Sequence, residues 1–492
     1  MFAHPLLTLL LLPLCGAVAV LLVPRSRPDL ARVGGLWVAV ATMLWSLVLW
    51  VGFDTSTASW QYIVDLRGGA LPDGGWSLLD TTLGVDGLGL ALVVLSAFLT
   101  PVCLLAGWRS VETRVHAYVA LFLLLEALVF LVFVTRDLLL FYVFFESVLV
   151  PMFVIIGVWG SRARKIRAAY GLFLYTLGGS VLMLLALLLM AWGAGSTSYD
   201  LLATTAWSPE REALLWAALF FSFAVKTPMV PVHLWLPEAH VEAPTAGSVV
   251  LAGVLLKLGG YGFLRWSFTL FPLGTVYFTP LVYLLGGAAV VYTSLATLRQ
   301  VDLKKAIAYS SVAHMNLATL GLISMDPRGL EGGALLMVAH GLVSPALFLC
   351  VGMLYDRHKT RLLRYYGGLS RGMPLFSLAW IFFTMANIGF PGTGSFVGEF
   401  LVVVGLYADH TLVAAVAASG MVLGAAYALW LANRLVYGLA KPHYLACLAD
   451  LNRREAMTLL PLAAGVLWMG VYPAPVLQLL RPALGAIALH GA

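Results

Sequence analysis

The chain has 492 residues, 61% of them hydrophobic and only 11% charged, with a mean hydropathy of +0.94. This composition excludes a water-soluble globular domain and points to a polytopic membrane protein. The formal charge of +6 does not indicate nucleic acid, because the basic residues sit in short loops between apolar runs, where they orient a membrane chain.

In chain order, fourteen apolar runs reach spanning length: residues 4–23, 30–52, 83–107, 115–134, 137–158, 168–193, 212–236, 244–268, 278–297, 303–324, 331–354, 375–405, 411–437 and 456–475. Crossing a hydrocarbon core takes about 20 residues of helix, and the runs are continuous, without the alternation of an outer-membrane barrel. The expected fold class is therefore all-α, a bundle of about 14 transmembrane helices. No long polar block marks an appended soluble domain. The first run has no basic residue before it and is followed at once by Arg25 and Arg27, so it reads as a retained span and not a cleaved leader.

Lys and Arg test the count. Twenty-one fall in or beside the odd-numbered loops and five in the even ones. One missed helix would scramble that asymmetry, so it supports fourteen spans with the odd loops on the matrix or cytoplasmic side. Both termini would then face the opposite side. Cys15, Cys103, Cys350 and Cys447 are scattered, with no CxxC pair, which suggests no disulfide framework, zinc site or iron–sulfur cluster.

Pro228 and Pro231 interrupt the seventh run, and Pro391, within Gly-Phe-Pro-Gly, interrupts the twelfth. Each proline removes a backbone donor and clashes with the preceding turn. Pro228 lies 113 residues after the start of the fourth run, and Pro391 lies 113 after the start of the ninth. The chain thus reads as an N-terminal three-helix segment (1–114), a five-helix unit (115–270), a second, inverted five-helix unit (271–440) and a C-terminal helix and tail (441–492). An odd number of spans per unit reverses the second, which is the inverted-repeat plan of secondary transporters.

Titratable residues recur at one depth in these runs. They are Glu146, Lys226 near the middle of the seventh run, Lys257, His314, His340 and Glu399, with Glu126 a weaker member. An ionisable group inside the membrane is costly and normally faces a partner or a wet cavity. Hydroxyls lie one turn away: Tyr142 from Glu146, Ser222 from Lys226, Ser310 and Ser311 from His314, Ser344 from His340. Residues three or four apart share a helix face, so each station has a polar neighbour able to hold a water. Proton transfer requires groups a hydrogen bond or one water apart. A Glu146–Lys226 pair that forms and opens would pass its proton to Lys257, then through the histidines to Glu399.

Other readings stand beside this one. Glu126 could be an interhelical hydrogen-bonder and His340 a support for the kink at Pro345. His314 and His340 could ligate a haem. The group His233, Glu238, His240 and Glu242 carries metal-ligand chemistry but reads as polarity at a helix end and subunit contact. The basic runs Arg162–Arg167 and Arg357–Arg371 read as solvated, orienting loops.

The segments FYVFFESVLVPMFVIIGVWGSR, KTPMVPVHLWLPEAHVEAPTAGSVVLAG, DLKKAIAYSSVAHMN and LFLCVGMLYDRHKTRL resemble the antiporter-like membrane-arm subunits of mitochondrial respiratory complex I, in their plant and green-algal forms, over nearly the whole length. That family also includes bacterial complex I subunits, photosynthetic relatives and multisubunit sodium/proton antiporters. The resemblance implies a proton-translocating subunit of NADH:ubiquinone oxidoreductase in the mitochondrial inner membrane (or a bacterial plasma membrane), with both termini on the intermembrane-space side. It places the family's key glutamate on Glu146, its lysines on Lys226 and Lys257, its histidines on His314 and His340, and its second glutamate on Glu399. It also implies neighbouring membrane-arm chains as partners. NADH, FMN, iron–sulfur clusters and ubiquinone are expected in partner subunits and none in this chain, which lacks a GxGxxG after a strand. Pro345 and Gly394 depart from the family pattern, standing where small residues and serine are usual. The competing readings are a sodium/proton antiporter subunit without a redox partner and a purely structural scaffold.

Overall fold

In lipid every backbone polar group must be satisfied within its own segment, so long apolar runs become helices. The computed structural model describes residues 4–66, 81–161, 163–324, 326–439 and 449–491; Arg162 and Cys447 lie outside them. Its elements are α1 (Pro5–Leu22), α2 (Pro28–Val51), α3 (Gly87–Ala106), α4 (Val115–Val134), α5 (Leu138–Trp159) and α6 (Lys165–Ala194). They continue as α7 (Pro209–Lys226), α8 (Trp235–Glu242), α9 (Thr245–Phe268), α10 (Pro272–Leu298), α11 (Leu303–Ile323) and α12 (Pro327–His358). The last are α13 (Pro374–Ile388), α14 (Gly394–Asp409), α15 (Thr411–Tyr437), α16 (Arg453–Val471) and α17 (Ala474–Gly491).

Local chemistry sets where helices begin. Pro occupies the first turn of α1, α2, α7, α10, α12 and α13, where its missing N–H costs nothing. Side chains of Asp86, Asp137, Asp302 and Asp326 cap α3, α5, α11 and α12, and Asn452 with Glu455 forms a capping box at α16.

Among the described residues, eleven helices are long and apolar enough to cross a membrane, and the pair α16–α17, bent by 70°, makes up to twelve. The expected total of fourteen is reached only by adding the two interrupted stretches. The seventh run is not one helix: α7 stops at Lys226, and the chain turns before α8 begins at Trp235. Lys226 is therefore not mid-helix but the last residue of α7, where an ammonium complements the helix dipole. The twelfth run likewise splits into α13 and α14. Pro345, by contrast, sits inside an unbroken α12.

Three features were not anticipated. Strands β1 (Gln61–Asp65) and β2 (Thr82–Val85) pair antiparallel between α2 and α3. The tail forms α17, which packs across α3 and α12 and is tied by Arg481 Nε to Glu331 Oε1 at 3.0 Å. Arg265, counted with an even loop, is buried within α9 and paired with Asp86.

α9, α11 and α12 form the interior. The most apolar windows of α9 and α12 are fully buried, against 28% for α2 and 33% for α15, so the outer helices face lipid on one side and the bundle on the other. Glycines bring α12 and α14 close: a Cβ at Gly332 would stand 2.6 Å from Val402 N, and one at Gly398 2.9 Å from Leu336 Cβ. That approach holds α14, which carries Glu399, against α12, which carries His340.

Candidate functional site

Both lysines lie where a helix departs from regular geometry. α7 ends at Lys226 because Pro228 cannot continue its hydrogen-bond ladder. The carbonyl of Pro228 accepts from Asn316 Nδ2 at 3.1 Å, which ties the first interruption to α11 two residues from His314. Lys226 Nζ lies 4.5 Å from the centre of the Phe145 ring, an ordinary cation–π separation, and makes no hydrogen bond among the described residues. Glu146, the next residue on α5, is close enough for the two charges to act on each other. No ion pair joins the two, and among the described residues Glu146 Oε1 and Ser222 Oγ are also buried without a hydrogen-bond partner.

Lys257 is fully buried in α9. The turn before it, Leu251–Leu255, is π-helical, a geometry that concentrates at functional sites. The Lys257 ammonium donates to the carbonyl of Ala252 within that turn. Its Nζ also lies 2.8 Å from His340 Nδ1 on α12. The His340 and His314 rings stand 5.9 Å apart, centre to centre. His314 Nδ1 is 3.2 Å from Glu399 Oε1 on α14, a contact off the line of a full hydrogen bond. Gly389 makes room for that carboxyl. It ends α13 at φ +78°, and a Cβ there would lie 2.3 Å from Glu399 Oε2.

The structure thus joins Lys257, His340, His314 and Glu399 into one string across α9, α12, α11 and α14, and sets Glu146 and Lys226 together on α5 and α7. Ser311 and Ser344 hydrogen-bond to each other at 2.8 Å, bridging α11 and α12, while Ser310 turns to the Ile307 carbonyl. Glu126 is buried with both oxygens unpartnered among the described residues, and its neighbours are Thr100 and Cys103 of α3. Among the described residues it forms no hydrogen bond or ion pair with the string. A haem between the histidines is not supported, since their rings stand only 5.9 Å apart while His314 Nε2 meets Tyr427 and His340 Nδ1 meets Lys257. Among the described residues no group of three or more His, Cys, Asp or Glu could hold a metal ion.

One buried titratable residue was missed. His240, read from sequence as helix-end polarity, is fully buried and stacked 4.4 Å from Phe348, within electrostatic reach of Lys257 and Lys304. Lys304 Nζ donates to the Ala243 carbonyl at 2.8 Å, and Asp302 stands 3.5 Å from Arg361. Lys304, Asp302 and Arg361 lie at the odd-loop end of the bundle. Glu238, from the same stretch, pairs instead with Lys305. The signal was the position of His240 five residues before Thr245, where the helix of Lys257 starts.

Comparison with known proteins follows this geometry. Residues 135–424 match the transmembrane family NADH:quinone oxidoreductase/Mrp antiporter. NADH-ubiquinone oxidoreductase chain 4 of Marchantia polymorpha is 54% identical over 483 residues, covering 98% of this chain and 97% of that one. The chain belongs to this family. NADH-quinone oxidoreductase subunit M of Rhodobacter capsulatus is 48% identical, over 96% of this chain and 94% of its own length. Among solved structures, a chain of respiratory complex I from Thermus thermophilus with bound NADH superposes with a TM-score of 0.88 at 30% identity, covering 99% of this chain and 100% of that chain. A chain of the Mrp complex from Dietzia sp. superposes at 0.87 with 20% identity, over 99% and 98%, which shows a shared fold. All six members of the row lie inside the family's matched span, and Glu126 lies outside it.

Proposed function

We propose that this chain is a proton-carrying membrane-arm subunit of an NADH:ubiquinone oxidoreductase, holding no redox group itself and driven by quinone reduction in partner subunits. The observation that carries this reading is the string Lys257–His340–His314–Glu399, whose members meet at 2.8, 5.9 and 3.2 Å inside the bundle. A proton moves only between groups a hydrogen bond or one water apart. The first link meets that condition directly; the last is at 3.2 Å but off the line of a full hydrogen bond and needs a small rotation, and the step between the rings needs a rotation or one water. The partners of Lys257 Nζ are an imidazole and a carbonyl, neither anionic, so the amine can change protonation state without breaking an ion pair.

In this reading Glu146 and Lys226 form the switch. When they close, the shared charge holds a proton on Lys226; when they open, that proton is released toward Lys257. Counting α7–α8 and α13–α14 as crossings gives fourteen spans in two five-helix units, 115–270 and 271–440, each interrupted in its fourth member. Residues 1–114 and 441–492 flank them. The plant relatives favour the mitochondrial inner membrane, with both termini on the intermembrane-space side and neighbouring antiporter-like chains as partners. NADH, FMN, iron–sulfur clusters and ubiquinone belong to partner subunits.

The test is a native gel of gently solubilised membranes, probed for this chain and stained for NADH oxidation. Co-migration with an NADH-oxidising band is the expected result. Migration in a smaller band, with sodium-dependent transport in vesicles, would replace this reading with an antiporter lacking a redox partner.

A further inference from the structure

We propose that Tyr427, itself held by Asn387, is a positioning residue that fixes the hydrogen of neutral His314 on Nδ1, the nitrogen facing Glu399. The inference rests on the relay reading above and adds the group that aims one of its steps.

His314 has a neighbour at each ring nitrogen. Nδ1 lies 3.2 Å from Glu399 Oε1 and Nε2 lies 3.3 Å from Tyr427 Oη on α15. Tyr427 Oη in turn lies 3.4 Å from Asn387 Nδ2, in the last turn of α13. An amide nitrogen only donates, whereas a phenol has one hydrogen to give and can also accept. With Asn387 donating into the phenol oxygen, the phenol hydrogen is left for Nε2. A nitrogen that accepts is unprotonated, so neutral His314 carries its hydrogen on Nδ1. That nitrogen is the one 3.2 Å from Glu399 Oε1, off the line of a full hydrogen bond, so a small rotation of the ring or the carboxyl brings the hydrogen onto it.

The surroundings keep bulk water from competing. Tyr427 is 3% exposed, Asn387 5% and His314 9%. The space beside them is a cavity of about 20 Å³ bounded by Thr297, Ser310, Thr384, Asn387 and Tyr427, room for one water. When His314 is doubly protonated, Nε2–H donates to Tyr427 Oη, and the phenol hydrogen turns toward this cavity. The two halves of the interrupted stretch therefore grip one imidazole. Asn387 from α13 acts through Tyr427 on Nε2, and Glu399 from α14 meets Nδ1. Nothing in the sequence near His314 signals this, because Tyr427 is 113 residues away.

The experiment uses the intact complex in proteoliposomes, carrying Tyr427→Phe, Glu399→Gln or both. Protons pumped per NADH oxidised are measured, with NADH oxidation by an artificial acceptor as the measure of enzyme present. Phe keeps the ring and its packing while removing the hydroxyl. Tyr427→Phe is expected to lower pumping about three- to tenfold, the worth of one hydrogen bond. The double variant is expected to pump no less than Glu399→Gln alone, because Tyr427 acts through the contact between His314 and Glu399. Redox-induced infrared difference spectra should show the imidazole ring band of His314 shifting to that of the other tautomer in Tyr427→Phe. Asn387→Leu, of similar volume but without the donor, should reproduce both effects and serves if Tyr427→Phe does not assemble. Full pumping in Tyr427→Phe with impaired Glu399→Gln would overturn this proposal and leave the relay standing. Full pumping in both would overturn the relay reading as well. An additive loss in the double variant would show Tyr427 acting elsewhere and would also defeat the proposal.

Discussion

Lys257 and His340, 83 residues apart in sequence, meet at 2.8 Å in the interior of the bundle. The contact depends on the π-helical turn before Lys257, which offers the Ala252 carbonyl as a second partner. It also depends on close packing of α9 against α12, where a Cβ at Gly341 would lie 3.0 Å from the Gly253 carbonyl. An amine held between an imidazole and a carbonyl can pass its proton along the bundle without leaving its place.

His340→Ala removes the acceptor that Lys257 faces. The coupled pumping rate should fall on the order of 100-fold, the scale of losing a positioned acid–base group. NADH oxidation by an artificial acceptor should be unchanged when measured on the same assembled enzyme.

Lys226→Ala and Glu146→Ala should each lower pumping by on the order of tenfold or more. If the two act as one switch, the double variant should pump no less than the weaker single variant. Proton uptake in vesicles of all three, at matched enzyme content, reads the coupling.

Gly398→Val places methyl groups against Leu336, whose Cβ a new Cβ alone would already approach at 2.9 Å and whose backbone it would approach at 3.0 Å. Overpacking at such a contact costs about 1–3 kcal/mol. The variant complex should melt earlier in a thermal ramp, and coupled pumping should fall because α14, which carries Glu399, is pushed away from α12.

Asp86→Asn separates two roles of one side chain. Asn caps a helix as well as Asp does, so the start of α3 should survive. Arg265, boxed by Trp60 at 4.4 Å and by Tyr199, is left buried without its counter-charge, at a cost of about 3–5 kcal/mol. The amount of assembled complex should drop in Asp86→Asn and recover in part when Arg265→Met is added.

The helices were legible because lipid imposes a simple rule on sequence: a spanning helix is apolar throughout, and anything charged within it stands out. Lys226, Lys257, His314, His340 and Glu399 could be picked from that background, and the prolines marked where α7 and α13 stop. What could not be read was the order of contact. Lys257 reaches His340 directly, before His314, a relation set by how α9, α11 and α12 pack and not by any local pattern. His240 was passed over because it lies beside acidic residues in a short polar stretch, and only the fold shows that its ring is turned inward onto Phe348. The hairpin of Gln61–Asp65 and Thr82–Val85 and the terminal helix α17 were missed for a related reason. Both lie against the ends of other helices, where neither length nor hydropathy is constrained as it is in the hydrocarbon core.

The most direct measurement is proton translocation by the intact complex carrying Lys257→Met, which keeps the length and packing of the side chain but has nothing to protonate. Proton uptake into vesicles per NADH oxidised is followed alongside artificial-acceptor activity and the native-gel band. The relay predicts an assembled enzyme of normal artificial-acceptor activity whose coupled pumping is largely lost. Pumping at the wild-type level in that variant would contradict the central claim and leave the buried charges as a scaffold joining helices.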